Sequence, residues 1–112
     1  MVYERGEVIL VPFPFSDLSA TKVRPAVILS RATYHKSEPD LLVGAITSQI
    51  AGAIHSVDHV LKDWKSAGLK FPSAFKPVIF TLDPKKVIHK VGVLSKSDLG
   101  QVDKRLKLAL NL

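Results

Sequence analysis

Residues 22–30 read Lys22-Val23-Arg24-Pro25-Ala26-Val27-Ile28-Leu29-Ser30. Proline biases the residue before it toward extended backbone, so Arg24 is expected in β or polyproline geometry. The apolar, β-branched run that follows predicts a buried strand over Val23–Ser30. An arginine therefore stands at the mouth of a strand, where its backbone has little freedom. A planar guanidinium held there suits a phosphate or carboxylate bound in one orientation. A surface arginine that merely ends a strand fits the same residues.

On the N-terminal side, Gly6–Val11 reads as a preceding strand, and Pro12 and Pro14 alternate with Phe13 and Phe15 to stop it. Ser16–Thr21 is small and polar, a loop by composition. On the C-terminal side, Arg31–Asp40 reads as a second loop. Leu41–Thr47 is a strand apolar enough to be covered on both faces, closed by Thr47, Ser48 and Gln49. Ile50–Ile54 reads as a flexible segment. Ser56–Leu61 is a further strand candidate, and Asp63 and Gly68 bound a single helical turn. Ser73–Leu82 and Val87–Leu94 complete the strands, with Lys76-Pro77 making the former an edge or irregular strand. Ser95 with Asp98 forms an Asp variant of the capping box, and Leu99, Val102, Leu106 and Ala109 recur at helical spacing. Short strands closed by one amphipathic helix predict a mainly β fold, a small antiparallel barrel packed by a C-terminal helix.

Composition sets the class. At 112 residues, 46% of them hydrophobic, the chain is long enough for one domain, 1–112, with its own core. It has no cysteine, which removes disulfides and thiolate metal sites. No apolar run reaches the ~20 residues of a membrane span, and Glu4, Arg5 and Glu7 precede any hydrophobic run, so a cytoplasmic protein without a secretory signal is expected. The net charge is +6, and the whole excess lies in the second half of the chain. Such a surface fits a polyanionic partner or a solvated lysine-rich face equally well.

Several familiar sites are missing. There is neither a phosphate-cradling glycine loop nor a Gly-x-Ser-x-Gly elbow. His55 and His59 sit four apart, but an extended segment would separate them by roughly 13 Å, too far for one metal. No metal or cofactor is expected. What remains is a group of strand ends: Arg24 opens one strand and Thr47 closes another, so an antiparallel pair would bring them together. A guanidinium with two hydroxyls can cradle a phosphodiester by charge stabilisation. Phe13, Phe15, Trp64, Phe71 and Phe75 invite base stacking, but aromatics at this density read as core.

The order Gly6-Glu7-Val8-Ile9-Leu10-Val11-Pro12-Phe13-Pro14-Phe15-Ser16-Asp17, then Lys22-x-Arg24-Pro25-Ala26-Val27-Ile28-Leu29-Ser30, resembles the MazF/PemK family of toxin endoribonucleases. The likeness continues through Ala45-Ile46-Thr47-Ser48-Gln49-Ile50, Asp63-Trp64-x-x-Ala67-Gly68-Leu69, Pro72-Ser73, Thr81-Leu82 and the closing Leu94-Ser95…Asp98-Leu99…Val102. It covers nearly the whole chain in order. The Arg-Pro-Ala strand and the Thr-Ser-Gln turn are its specific parts.

The resemblance implies a homodimeric SH3-like barrel with a C-terminal helix, neutralised by a cognate antitoxin. It implies metal-independent, sequence-specific cleavage of single-stranded RNA or mRNA. In that reaction the 2′-OH attacks the adjacent phosphate, leaving a 2′,3′-cyclic phosphate and a 5′-OH. Carried onto this sequence, Arg24 and Thr47 would be catalytic, with Ser48 and Gln49 in support, and Ser16, Asp17 and Lys22 in the region that closes over RNA. Where many members carry a further arginine or polar group, this chain reads Ala74-Phe75-Lys76-Pro77-Val78-Ile79-Phe80. Lys76 stands in for the cation there, without arginine's fork. A same-fold toxin that binds and poisons DNA gyrase, or a degenerate member that binds RNA or antitoxin without cutting, are the alternatives.

Overall fold

The computed structural model describes residues 3–13, 22–50 and 55–112. In chain order the elements are β1 (Glu7–Pro12), β2 (Val23–Ile28), α1 (Ala32–Ser37), β3 (Leu41–Thr47), β4 (His59–Val60), β5 (Ala74–Leu82), a 3-10 turn (Pro84–Lys86), β6 (His89–Val93) and α2 (Lys96–Leu110). The strands form one antiparallel sheet in the order β4-β5-β3-β2-β1-β6, curled into a half-barrel.

Neighbouring residues in the central strands are buried together, so the sheet is covered on both faces. One set comprises Ile9, Val11, Ala26, Ile28, Leu41 and Val43, joined by Tyr3 and Leu82. The other comprises Val8, Val27, Ile46 and Phe75, joined by Leu61, Ala67 and Leu94 and, from α2, Val102. Full burial of each such Val, Ile or Phe contributes about 1.5–3 kcal/mol. This is why these strands read as continuous apolar runs rather than alternating ones.

No ladder joins β4 to β6. The gap is spanned by the turn over residues 64–68, in which the Ala67 amide donates to the Asp63 carbonyl (3.2 Å) and Gly68 takes φ +87°. The turn lies so close to β6 that a Cβ on Gly68 would stand 2.1 Å from the Val91 carbonyl oxygen, and one on Gly92 2.3 Å from that of Ala67. The helical turn ending at Gly68 is thus as expected, and it also serves as the barrel's seam.

Four expectations need correction. Arg31–Asp40 holds the short helix α1, which has no buried residue and so no apolar stripe to announce it. It is pinned by polar groups instead: Ser30 Oγ lies 2.5 Å from His35 Nε2, and His35 Nδ1 lies 3.0 Å from the Tyr3 carbonyl. The strand β2 accordingly ends at Ile28, before Ser30. Of Ser56–Leu61, only His59–Val60 pairs as strand; His55–Asp58 is a turn, closed by the Asp58 amide on the His55 carbonyl (2.9 Å). Ala109 is exposed, so the packed face of α2 ends at Leu106. The expected irregularity at Lys76-Pro77 is a bulge, where pairing jumps from Gly44↔Ile79 to Ala45↔Lys76. Among the described residues no helix is long and apolar enough to cross a membrane.

Candidate nucleic-acid interface

β1 and β2 pair with Val11 opposite Arg24, while β2 and β3 pair with Ala26 opposite Ala45. Continued to the strand ends, that second register sets Arg24 against Thr47. Both line a cleft of about 480 Å³ with Phe13, Ala45, Lys76 and Val78. The Arg24 guanidinium carbon sits 5.5 Å from the centre of the Phe13 ring. Phe13 in turn meets Phe80 edge-on, at 5.8 Å and 76°. A cation over an aromatic face gains about 0.5–2 kcal/mol, enough to favour one orientation of an otherwise mobile side chain. Thr47 Oγ1 accepts from the Gln49 amide (3.1 Å), which fixes the hydroxyl oxygen while its proton remains available to donate.

Lys76 is also in this cleft, but its ammonium lies 2.8 Å from the Asp58 carboxylate. Asp58 is only 4% exposed. Burial pushes its carboxyl pKa up, but Lys76 and the His55 amide outweigh this and hold it below the usual 3.8. The positive charge of Lys76 is therefore shared with a buried anion that the sequence did not reveal. Asp58 looked like one more polar residue in a strand, and only the turn at His55 brings it inward.

Arg24 also borders a second cleft of about 560 Å³. By alternation along β2, Pro25 faces the opposite side of the sheet from Arg24. Pro25, Leu10, Ile46 and Val91 supply the apolar lining, and Lys22, Ser48, Lys70 and Phe71 also border the space. Phe71 is 63% exposed, which overturns its reading as core; Phe75, by contrast, is fully buried. Of the predicted site residues, Arg24, Thr47 and Lys76 meet in the first cleft, and Lys22 and Ser48 border the second. Gln49 contributes its amide to Thr47. Ser16 and Asp17 lie outside the described residues.

Asp98 carries more than its reading as part of a capping box. The Asp98 amide does donate to Ser95 Oγ (3.1 Å), as a cap requires. Its carboxylate, however, is fully buried and accepts from the Lys62 amide (2.9 Å), the Asp63 amide (2.8 Å) and His59 Nε2 (2.9 Å). Burial pushes its pKa up, but the Lys62 amide, the His59 ring and the Asp63 amide outweigh this and hold it below 3.8. The start of α2 is thereby fastened to the turn whose far end, Gly68–Phe71, borders the second cleft. His59 is engaged by this carboxylate, and among the described residues no three His, Cys, Asp or Glu side chains cluster as a metal site would need.

A family model described as a PemK-like, MazF-like toxin of type II toxin–antitoxin systems matches residues 4–110. A protein of Staphylococcus epidermidis named Endoribonuclease MazF is 34% identical over 110 residues, covering 96% of this chain and 91% of that one. The crystal structure of MazF from Deinococcus radiodurans superposes with a TM-score of 0.77 at 19% identity, covering 100% of this chain and 99% of that one. An endoribonuclease in complex with its cognate antitoxin, from a mycobacterial species, gives 0.76 at 16% identity, covering 99% and 95%. At these identities the structural likeness speaks for the fold alone.

Proposed function

The chain belongs to the PemK-like, MazF-like toxins of type II toxin–antitoxin systems, and from that premise we propose that it is an endoribonuclease whose reaction is centred on Arg24 and Thr47. The observation that carries the reading is their convergence in one cleft, with Arg24 steadied over Phe13.

Single-stranded RNA or mRNA lies across the cleft with the scissile phosphate at Arg24. The 2′-OH of the preceding ribose attacks phosphorus, the bond to the 5′-oxygen breaks, and the products end in a 2′,3′-cyclic phosphate and a 5′-OH. Negative charge grows on the non-bridging oxygens as the pentacoordinate state forms. A guanidinium donates to two such oxygens at once, and Thr47 donates a further hydrogen bond. Arg24 acts by charge stabilisation, the role its planar, donor-only guanidinium fits. No metal is given a role in this scheme. Ser48, Gln49 and Lys22 support the bound strand.

The protein acts in the cytoplasm, as a homodimer held in check by a cognate antitoxin. Val78 and Ile79 on β5, 39% and 38% exposed beside the cleft, offer apolar surface to the second copy. The test is cleavage of a long labelled RNA in EDTA, with Arg24→Ala alongside. Cuts at a short recurring sequence with 2′,3′-cyclic phosphate ends, falling about 10²–10³-fold in the variant, are expected. Absence of cutting by folded protein would redirect the reading to gyrase poisoning or antitoxin binding.

A further inference from the structure

We propose that the second cleft is a nucleobase subsite, in which one base of the substrate strand stacks on Phe71 while its neighbouring phosphate lies at Arg24. This rests on the ribonuclease reading and adds to it a residue that selects or steadies the strand.

Arg24, at the open end of β2, borders both clefts, which lie on opposite faces of the sheet, so a strand with a phosphate at Arg24 reaches the second one by rounding that strand end. The second cleft combines what a nucleotide needs. Its lining from Leu10, Pro25, Ile46 and Val91 is apolar, its ionisable side chains are Lys22, Arg24 and Lys70, and Ser48 supplies a hydrogen-bonding group for a base edge. Among the described residues no carboxylate lines it. Its volume of about 560 Å³ lies within the ~300–1,000 Å³ of small-molecule sites.

Phe71 is presented by a fixed backbone. Ser73, 2% exposed, donates its hydroxyl to the Phe71 carbonyl at 2.8 Å. On the other side, the Gly68 turn sits against the β6 backbone with no room for a side chain. A large ring held out in solvent beside cations is a stacking platform, and stacking contributes about 1–3 kcal/mol per base. An acidic peptide would use the same apolar lining and set a carboxylate at Arg24, but it would carry no base to stack on Phe71, which is the difference the abasic series reads.

The test measures binding of a 2′-O-methyl oligonucleotide, which cannot be cut, and a set carrying one abasic residue at each position in turn. Phe71→Ala should weaken binding about 5- to 150-fold, and Phe71→Tyr should restore it. For the wild type, one abasic position should cost a similar factor, and at that position Phe71→Ala should add nothing further. Wild-type affinity in Phe71→Ala, or losses that multiply at every position, overturns the proposal. A variant that binds RNA normally but shifts the monomer–dimer equilibrium assigns Phe71 to a protein contact instead. Cleavage of the matching all-ribose strand is followed in parallel. If the wild type binds with this base dependence yet never cuts, the ribonuclease reading fails and the subsite stands.

Discussion

Arg24 and Thr47 stand across from each other where β2 and β3 run out of hydrogen-bonded pairing, in the register set by Ala26 and Ala45. The ladder sets their backbone positions, and both side chains line the cleft, Arg24 over Phe13 and Thr47 accepting from the Gln49 amide. Thr47→Val keeps the branched shape but deletes both the donor and the acceptor of the Gln49 amide. A hydrogen bond to a charged group is worth about 1.5–3 kcal/mol, so kcat should fall roughly 10- to 100-fold. Thr47→Ser should retain most activity. Single-turnover cleavage by the two variants separates a hydroxyl that acts on phosphate from one that only shapes the turn.

Lys76 is expected to behave as a structural cation first. Its partner Asp58 is 4% exposed and cannot regain water easily if the ammonium is removed. Lys76→Ala should cost about 1–3 kcal/mol of stability. Asp58→Asn combined with Lys76→Met should recover much of that loss, because the uncompensated anion goes with its partner. Urea midpoints for the two single variants and the double variant check this. If Lys76 is mainly a phosphate contact, Lys76→Ala will leave stability alone and reduce the salt slope of RNA binding by about 0.7 per phosphate lost.

These two cases show what sequence can and cannot display. Arg24 and Thr47 were legible because both belong to strands, and strands announce themselves by apolar, β-branched runs whose ends are countable. The strand Leu41–Thr47 was read to the residue for that reason. Asp58 and Asp98 were not legible in their present roles. Each is buried by a tertiary contact, Lys76 in one case and backbone amides 35 and 36 residues away in the other. The helix α1 escaped because polar links to Ser30 and Tyr3, rather than an apolar face, hold it. Phe71 reads as one more core aromatic in the sequence, since composition does not distinguish a ring turned inward from one turned out.

The Asp98 clamp predicts a specific acid limb. Its carboxyl titrates below 3.8 when folded, so its stabilisation is present in full above that unfolded value and is lost as pH falls through the lower folded one. Asp58 is shifted in the same direction and adds to the same limb. Asp98→Asn cannot reproduce the pattern, because an amide offers one oxygen where the Lys62 amide, the Asp63 amide and His59 all donate. At neutral pH it should cost at least about 2 kcal/mol, since at least one buried donor is left facing an N–H. Below pH 3.8 the gap between variant and wild type should narrow. Thermal unfolding from neutral to strongly acidic pH tests both; a gap that widens toward acid would contradict the assignment.

Two glycines should respond in opposite directions to the same substitution. Gly68 combines φ +87° with a Cβ position only 2.1 Å from the Val91 carbonyl oxygen. Gly68→Ala must therefore push the seam turn off β6 and move the border of the second cleft. A loss of more than about 2 kcal/mol is expected, the left-handed backbone alone accounting for roughly 1 kcal/mol of it. Gly100 lies within α2, and beyond its chain neighbours and the adjoining helix backbone no heavy atom comes within 4 Å of its Cβ position. Gly100→Ala should stabilise the protein by about 0.5–1 kcal/mol, because glycine is the more costly residue in a helix interior. Chemical denaturation of both variants decides the matter. If Gly68→Ala folds as stably as the wild type, the seam is not the close backbone contact described, and the fixed platform for Phe71 loses its main support.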